Sequence, residues 1–180
     1  ENIQVAKTVT TKEDEKQLEK IPVEIKAKAV VLMEVSSGKV LLEYNSDKQL
    51  FPASVTKIMT MLLVVEAISD CKIALTDVVV CSENASKKGG SQIWLEPGEE
   101  MTVNDLLKAT AIGSANDAAT LLGEYISGSE EAFISLMNER AKELGMNNTH
   151  FENATGLDDT TDTHLTTARD IGIMSVELMK

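Results

Sequence analysis

Phe51-Pro52-Ala53-Ser54-Val55-Thr56-Lys57 leads without a break into Ile58-Met59-Thr60-Met61-Leu62-Leu63-Val64-Val65, and the fold turns on how this stretch is read. It predicts a helix from about Ser54 to Ile68 that is apolar on most sides, and so central rather than superficial. Ser54 and Lys57, three apart at its start, lie on one face a turn from each other, at the positive end of the helix dipole. A nearby base turns a weak serine hydroxyl into a nucleophile, and a lysine with a lowered pKa is such a base. Serine and lysine are common residues, so the spacing alone carries little, and the rest of the chain decides its meaning.

Upstream, Ala29 to Val35 reads as a buried strand, Ser36-Ser37-Gly38-Lys39 as a turn and Val40 to Asn45 as a second strand, together a β-hairpin. Residues 1–20 are polar and without apolar period, a flexible lead-in, with order expected from about Ile21-Pro22-Val23. Downstream, Thr76 to Cys81 reads as a short strand and residues 82–100 as a long loop of the kind that often carries function.

Helices follow. Thr102 and Asp105 form a capping-box pattern opening Val103 to Ala111. A break at Gly113-Ser114 precedes a helix from Asn116 to Ile126. Ser129 opens another that runs to Leu144 and stops at Gly145, and Thr167 with Asp170 starts a last one that runs to the end of the chain at Lys180. Two strands make a marginal sheet, so more strands are expected beyond Lys180.

The 180 residues are 43% hydrophobic and 26% charged, which fits a globular protein. The net charge of −12 argues against nucleic-acid binding and against docking on anionic lipid. The longest apolar run, Ile58 to Val65, is too short to span a bilayer. The chain starts at Glu1, and a mature or recombinant form is expected. Cys71 and Cys81 read as part-buried free thiols, and nothing in the spacing supports a bridge or a metal site.

Ser114-Ala115-Asn116 sits in the helix break, where short polar side chains point into a cavity and a second hydroxyl and an amide are placed to relay a proton and hold a substrate amide. The plainer alternative makes Ser114 an N-cap.

Ser54-x-x-Lys57 followed about sixty residues on by Ser114-x-Asn116 resembles the penicillin-recognising serine enzymes. The flanking residues are more specific. Pro52 to Thr60, Ser114 to Ala119, Met137-Asn138, Leu144 to Phe151 and Thr167 to Asp170 resemble the low-molecular-weight D-alanyl-D-alanine carboxypeptidases, from about Ile25 to Lys180 in one order and register.

The resemblance implies an α/β (α+β) fold of the β-lactamase/transpeptidase type. An antiparallel sheet, here incomplete, packs on the central helix beside an all-helical subdomain, with the sheet part over 25–53, the helical part over 54–180 and the cleft between them. It implies Ser54 as nucleophile on the bond between two D-alanines and Lys57 as its base. Ser114 passes a proton to the departing D-alanine. Asn116 binds the substrate backbone and helps orient Lys57, and the Ser54 N–H supplies half of an oxyanion hole. No cofactor or metal is implied. The partners are peptidoglycan stem peptides and β-lactam antibiotics, outside the cytoplasm, with membrane attachment only through a C-terminal anchor beyond this chain.

The family's Lys-Thr-Gly motif, which binds the substrate carboxylate, occurs nowhere in these residues, and the family order places it past Lys180. The chain is therefore expected to be the N-terminal part, residues 21–180, of a longer catalytic domain.

Two other readings stand beside this one. A class A-like β-lactamase needs a glutamate for its deacylating water, and Glu124, Glu130 and Glu131 all fall in predicted helices. A binding module or inert fragment fits the missing motif. His150 and His164, the only histidines, have no aspartate at a telling spacing. A Ser-His-Asp triad is not supported, and surface positions are expected for both. Trp94, in the loop Gly90 to Leu95, either borders the cleft or packs on the core. Asp158, Asp159, Asp162 and His164 read as a solvated loop rather than a cation site. Met59, Met61, Met137, Met174 and Met179 read as core filler.

Overall fold

A computed structural model describes residues 26–157 and 162–180; the expected lead-in and the onset of order lie outside the described residues, as do Asp158 and Asp159. The hairpin is present, β1 (Val30–Met33) against β2 (Val40–Tyr44), antiparallel with Leu32 opposite Leu42. It is not a buried strand pair. Leu32 is 52% exposed and Leu41 55%, because helix covers only one face of the two strands.

A 3₁₀ turn, Ala53–Thr56, leads into α1 (Lys57–Ser69), so the predicted helix begins with a tighter turn that carries Ser54. Then come β3 (Val78–Val80), a one-turn helix α2 (Glu83–Ser86) inside the expected loop, and β4 (Glu100–Thr102). β4 pairs antiparallel with β3 and was not foreseen in the sequence. Four longer helices complete the order: α3 (Val103–Gly113), α4 (Asn116–Ser127), α5 (Glu130–Glu143) and α6 (Ala168–Leu178). The last of these ends at Leu178 instead of running on.

The caps follow the sequence signals. Thr102, Ser129 and Thr167 each accept the N–H three residues on, and Gly145 takes the left-handed conformation after α5.

The many-sided apolar character of α1 has a direct structural cause. Val64 belongs to a core with β3, α3 and α4, while Met59, Leu62 and Leu63 belong to a second core with α5 and α6. One helix thus serves two cores. The β1–β2 sheet lies against α6, which packs on α1. Met59, Met137 and Met174 are fully buried; Met179, expected in the core, is 68% exposed. Cys81 is buried and Cys71 exposed, both as free thiols.

Candidate active site

Ser54 stands exposed in the 3₁₀ turn, and Lys57, the first residue of α1, is buried to 2%. The Lys57 ammonium donates to Ser54 Oγ at 3.2 Å and to the Thr155 carbonyl at 2.8 Å. Burial pushes the Lys57 pKa down to about 8, because the charged form loses its water. About one amine in ten is then neutral at pH 7, against a negligible fraction for a solvated lysine.

Residues 152–157 hold this pair in place. Asn153 Oδ1 accepts the backbone N–H of Thr155 and of Gly156, at 3.0 and 2.7 Å, and its amide donates to the Leu157 carbonyl at 2.6 Å. Such an Asx turn fixes the local backbone. It aims the Thr155 carbonyl at Lys57 and the Ala154 carbonyl at the Thr60 hydroxyl, 2.8 Å away. Gly156, at φ +88°, lies hard against Ala53, which itself has φ 47°.

The second cluster lies at the α3–α4 junction. Ser114 closes α3 in the left-handed conformation, φ 54°, and the next N–H, of Ala115, reaches back to the Ala109 carbonyl at 3.2 Å. Glycine normally takes this position, since a Cβ there is strained. Ala115, not Ser114, is the N-cap of α4, so capping does not explain the serine. The half-buried Ser114 hydroxyl makes no hydrogen bond among the described residues, to Ser54 and Lys57 or to any other group.

Asn116 is buried, its N–H on the Ser91 carbonyl and its side-chain amide on the Gly89 carbonyl, both 2.7 Å. Its Oδ1 is buried with no partner among the described residues, which costs about 1–3 kcal/mol. The Lys57 ammonium is bonded to the Thr155 carbonyl, and no bond joins it to Asn116 among the described residues.

Asp117 fixes the loop above. Its buried carboxylate accepts the N–H groups of Ile93 and Leu95 at 3.1 Å each. Trp94, between them, is turned out at φ 63° and is 76% exposed, so it does not pack on the core.

His164 overturns the expectation of a surface residue: it is fully buried and bonds to Thr56 at 2.8 Å. His150 is exposed and pairs with Glu152. Thr56, Asn153, Thr155 and Gly156 were not singled out for the site in the sequence. The signal that points to them is the Asn-x-x-Gly turn pattern at Asn153-Ala154-Thr155-Gly156. Among the described residues no cluster of His, Cys, Asp and Glu is able to hold a metal ion.

Residues 8–180 match the family model described as D-alanyl-D-alanine carboxypeptidase. D-alanyl-D-alanine carboxypeptidase DacF of Bacillus subtilis is 55% identical over 154 residues, covering 86% of this chain and 39% of that protein. The crystal structure of the D-alanyl-D-alanine carboxypeptidase DacD from Francisella tularensis superimposes with a TM-score of 0.82 at 38% identity, over 87% of this chain and 37% of that one. Penicillin-binding protein D2 of Listeria monocytogenes, in its ampicillin-bound form, gives a TM-score of 0.77 at 30% identity, over 88% of this chain and 64% of that one. The chain spans about two fifths of the length of the curated relatives it matches.

Proposed function

This chain belongs to the D-alanyl-D-alanine carboxypeptidase family, and on that premise we propose that it carries the nucleophile of a serine peptidase that removes the terminal D-alanine from peptidoglycan stem peptides. The observation that carries this reading is the dry lysine, its pKa near 8, 3.2 Å from an exposed serine hydroxyl.

The neutral Lys57 amine takes the Ser54 proton as Oγ bonds to the carbonyl carbon of the D-Ala-D-Ala amide. The Ser54 backbone N–H supports the oxyanion, and Asn116 Oδ1 accepts a substrate N–H. The proton returns from the Lys57 ammonium through the Ser114 hydroxyl to the departing amine, and free D-alanine leaves an ester on Ser54. Water then adds to the ester, and the C–O bond to Ser54 breaks with its proton restored. A β-lactam that resembles the D-Ala-D-Ala end acylates the same oxygen.

Peptidoglycan lies outside the cytoplasm, so the whole protein is proposed to work there, attached through a C-terminal anchor. Among the described residues no helix is long and apolar enough to cross a membrane. The β-lactamase alternative is not favoured. Glu124 is tied to Ser82 and Asn84 at 2.6 and 2.7 Å, and Glu130 to Lys88 at 2.5 Å.

Intact-mass measurement of the full-length gene product after incubation with benzylpenicillin tests the proposal. One covalent adduct, mapped to Ser54 and lost in Ser54→Ala, is expected. An unmodified protein, or an adduct on another residue, overturns it.

A further inference from the structure

Thr56 lies between the two residues of the proposed nucleophile pair, and it is fully buried. Its Oγ1 is 2.8 Å from Nε2 of His164, 108 residues further along the chain. Among the described residues this is the one side-chain hydrogen bond that ties the 3₁₀ turn to a distant part of the sequence. The His164 ring is itself fixed on two sides. Its Nδ1 accepts the Glu152 N–H at 3.0 Å, and its plane meets Phe151 edge-on with centroids 5.8 Å apart. An N–H pointing at Nδ1 leaves no room for a proton there. Nδ1 is therefore the acceptor, and Nε2–H donates to Thr56. Buried and pointed at a hydroxyl rather than at a reacting group, this imidazole does no acid–base work in the proposed reaction.

We infer that His164 is a positioning residue for that reaction: through Nε2–H it fixes Thr56, and with it the turn that spaces Ser54 from Lys57. The segment to which its other nitrogen binds carries the Thr155 carbonyl that holds Lys57. The ring thus touches both segments, and its bond to Thr56 is the one that acts on the pair. A displacement of about 1 Å at such a pair costs up to ~10²-fold in rate. The inference rests on the proposed function, and its test separates the two.

The experiment follows acylation of the full-length gene product by benzylpenicillin, resolved into binding and first-order acylation, with Tm measured alongside. In His164→Gln the amide keeps a donor at the Nε2 position but no acceptor for Glu152. His164→Asn does the reverse, keeping the acceptor at the Nδ1 position. The Gln variant is expected to retain the acylation constant within a few-fold, while the Asn variant loses ~10- to 100-fold, with penicillin binding little changed in both. Thr56→Val is expected to lose as much as His164→Asn, and the double variant no more than either alone.

Equal losses in Gln and Asn, a better Asn than Gln, additive losses with Thr56→Val, or losses that simply follow Tm overturn the inference while the proposed function stands. An unacylated wild type removes the proposed function and the inference with it. Should His164→Asn fail to fold, ¹⁵N shifts of the ring in the intact wild-type protein decide: protonated Nε2 with bare Nδ1 is expected, and the opposite tautomer or an imidazolium overturns it.

Discussion

A methyl group on Gly156 would stand 1.7 Å from the carbonyl oxygen of Ala53, the residue just before Ser54. The two segments, about a hundred residues apart in sequence, touch backbone to backbone. Gly156→Ala must therefore push the 3₁₀ turn away or unseat residues 152–157, and the φ of +88° adds strain of about 1 kcal/mol. We expect a loss of ~2–4 kcal/mol in denaturant unfolding and no detectable acylation of Ser54. A variant with wild-type stability and acylation would contradict the close approach.

Lys57 links stability to pH with a definite sign. The unfolded lysine titrates near 10.5 and the folded one near 8, so between those values the unfolded chain binds more protons and stability rises with pH. Below pH 8 both states are protonated and the full cost of the dry charge stands, on the order of 3 kcal/mol. In Lys57→Met that cost is gone, though the Thr155 carbonyl loses its donor and returns part of the gain. The Tm of this variant relative to wild type should thus be greatest below pH 8 and decline toward pH 10.5. Wild-type acylation should climb through pH 8 as the amine loses its proton. A difference in Tm that stays constant from pH 7 to 10.5 would show that the lysine is not depressed.

Ser114 sits in a backbone conformation that suits glycine, at φ 54°. Ser114→Gly relieves strain of about 1 kcal/mol and should raise Tm by a few degrees. The same change removes the hydroxyl proposed to relay the proton, so acylation should slow by ~10²-fold or more. Greater stability with lower activity, from one substitution, separates a strained functional serine from a structural one. A Tm that falls would show that the serine supports the helix break.

The features legible in the sequence are those with local causes. The caps at Thr102, Ser129 and Thr167, the stop at Gly145, the hairpin and the central place of α1 each follow from residues within a few positions of one another. The pairing of Ser54 with Lys57 is likewise one helical turn. What the sequence hid is held together over long distances. β4 is three residues whose strand character comes from β3, twenty residues back. The burial of His164 depends on Thr56 and on the Glu152 backbone, and the place of Thr155 on Lys57, 98 residues away. No local pattern records such contacts. For Trp94 the sequence left two placements open, and the choice between them is made by the Asp117 carboxylate from a different element.

Arg169, in the first turn of α6, holds Glu43 at 2.5 Å and Asp47 at 2.7 Å, and its N–H donates to the Ser46 carbonyl at 3.0 Å. A ribosome adding ~5–20 residues per second needs roughly 6 to 25 seconds to make the 122 residues between Asp47 and this arginine. A lone hairpin is marginal in water, so for that interval the first two strands have no lasting mate. Val31 and Met33, the side chains that lie against α6 at Gly172, are then open to any holdase or sticky neighbour until α6 has been made.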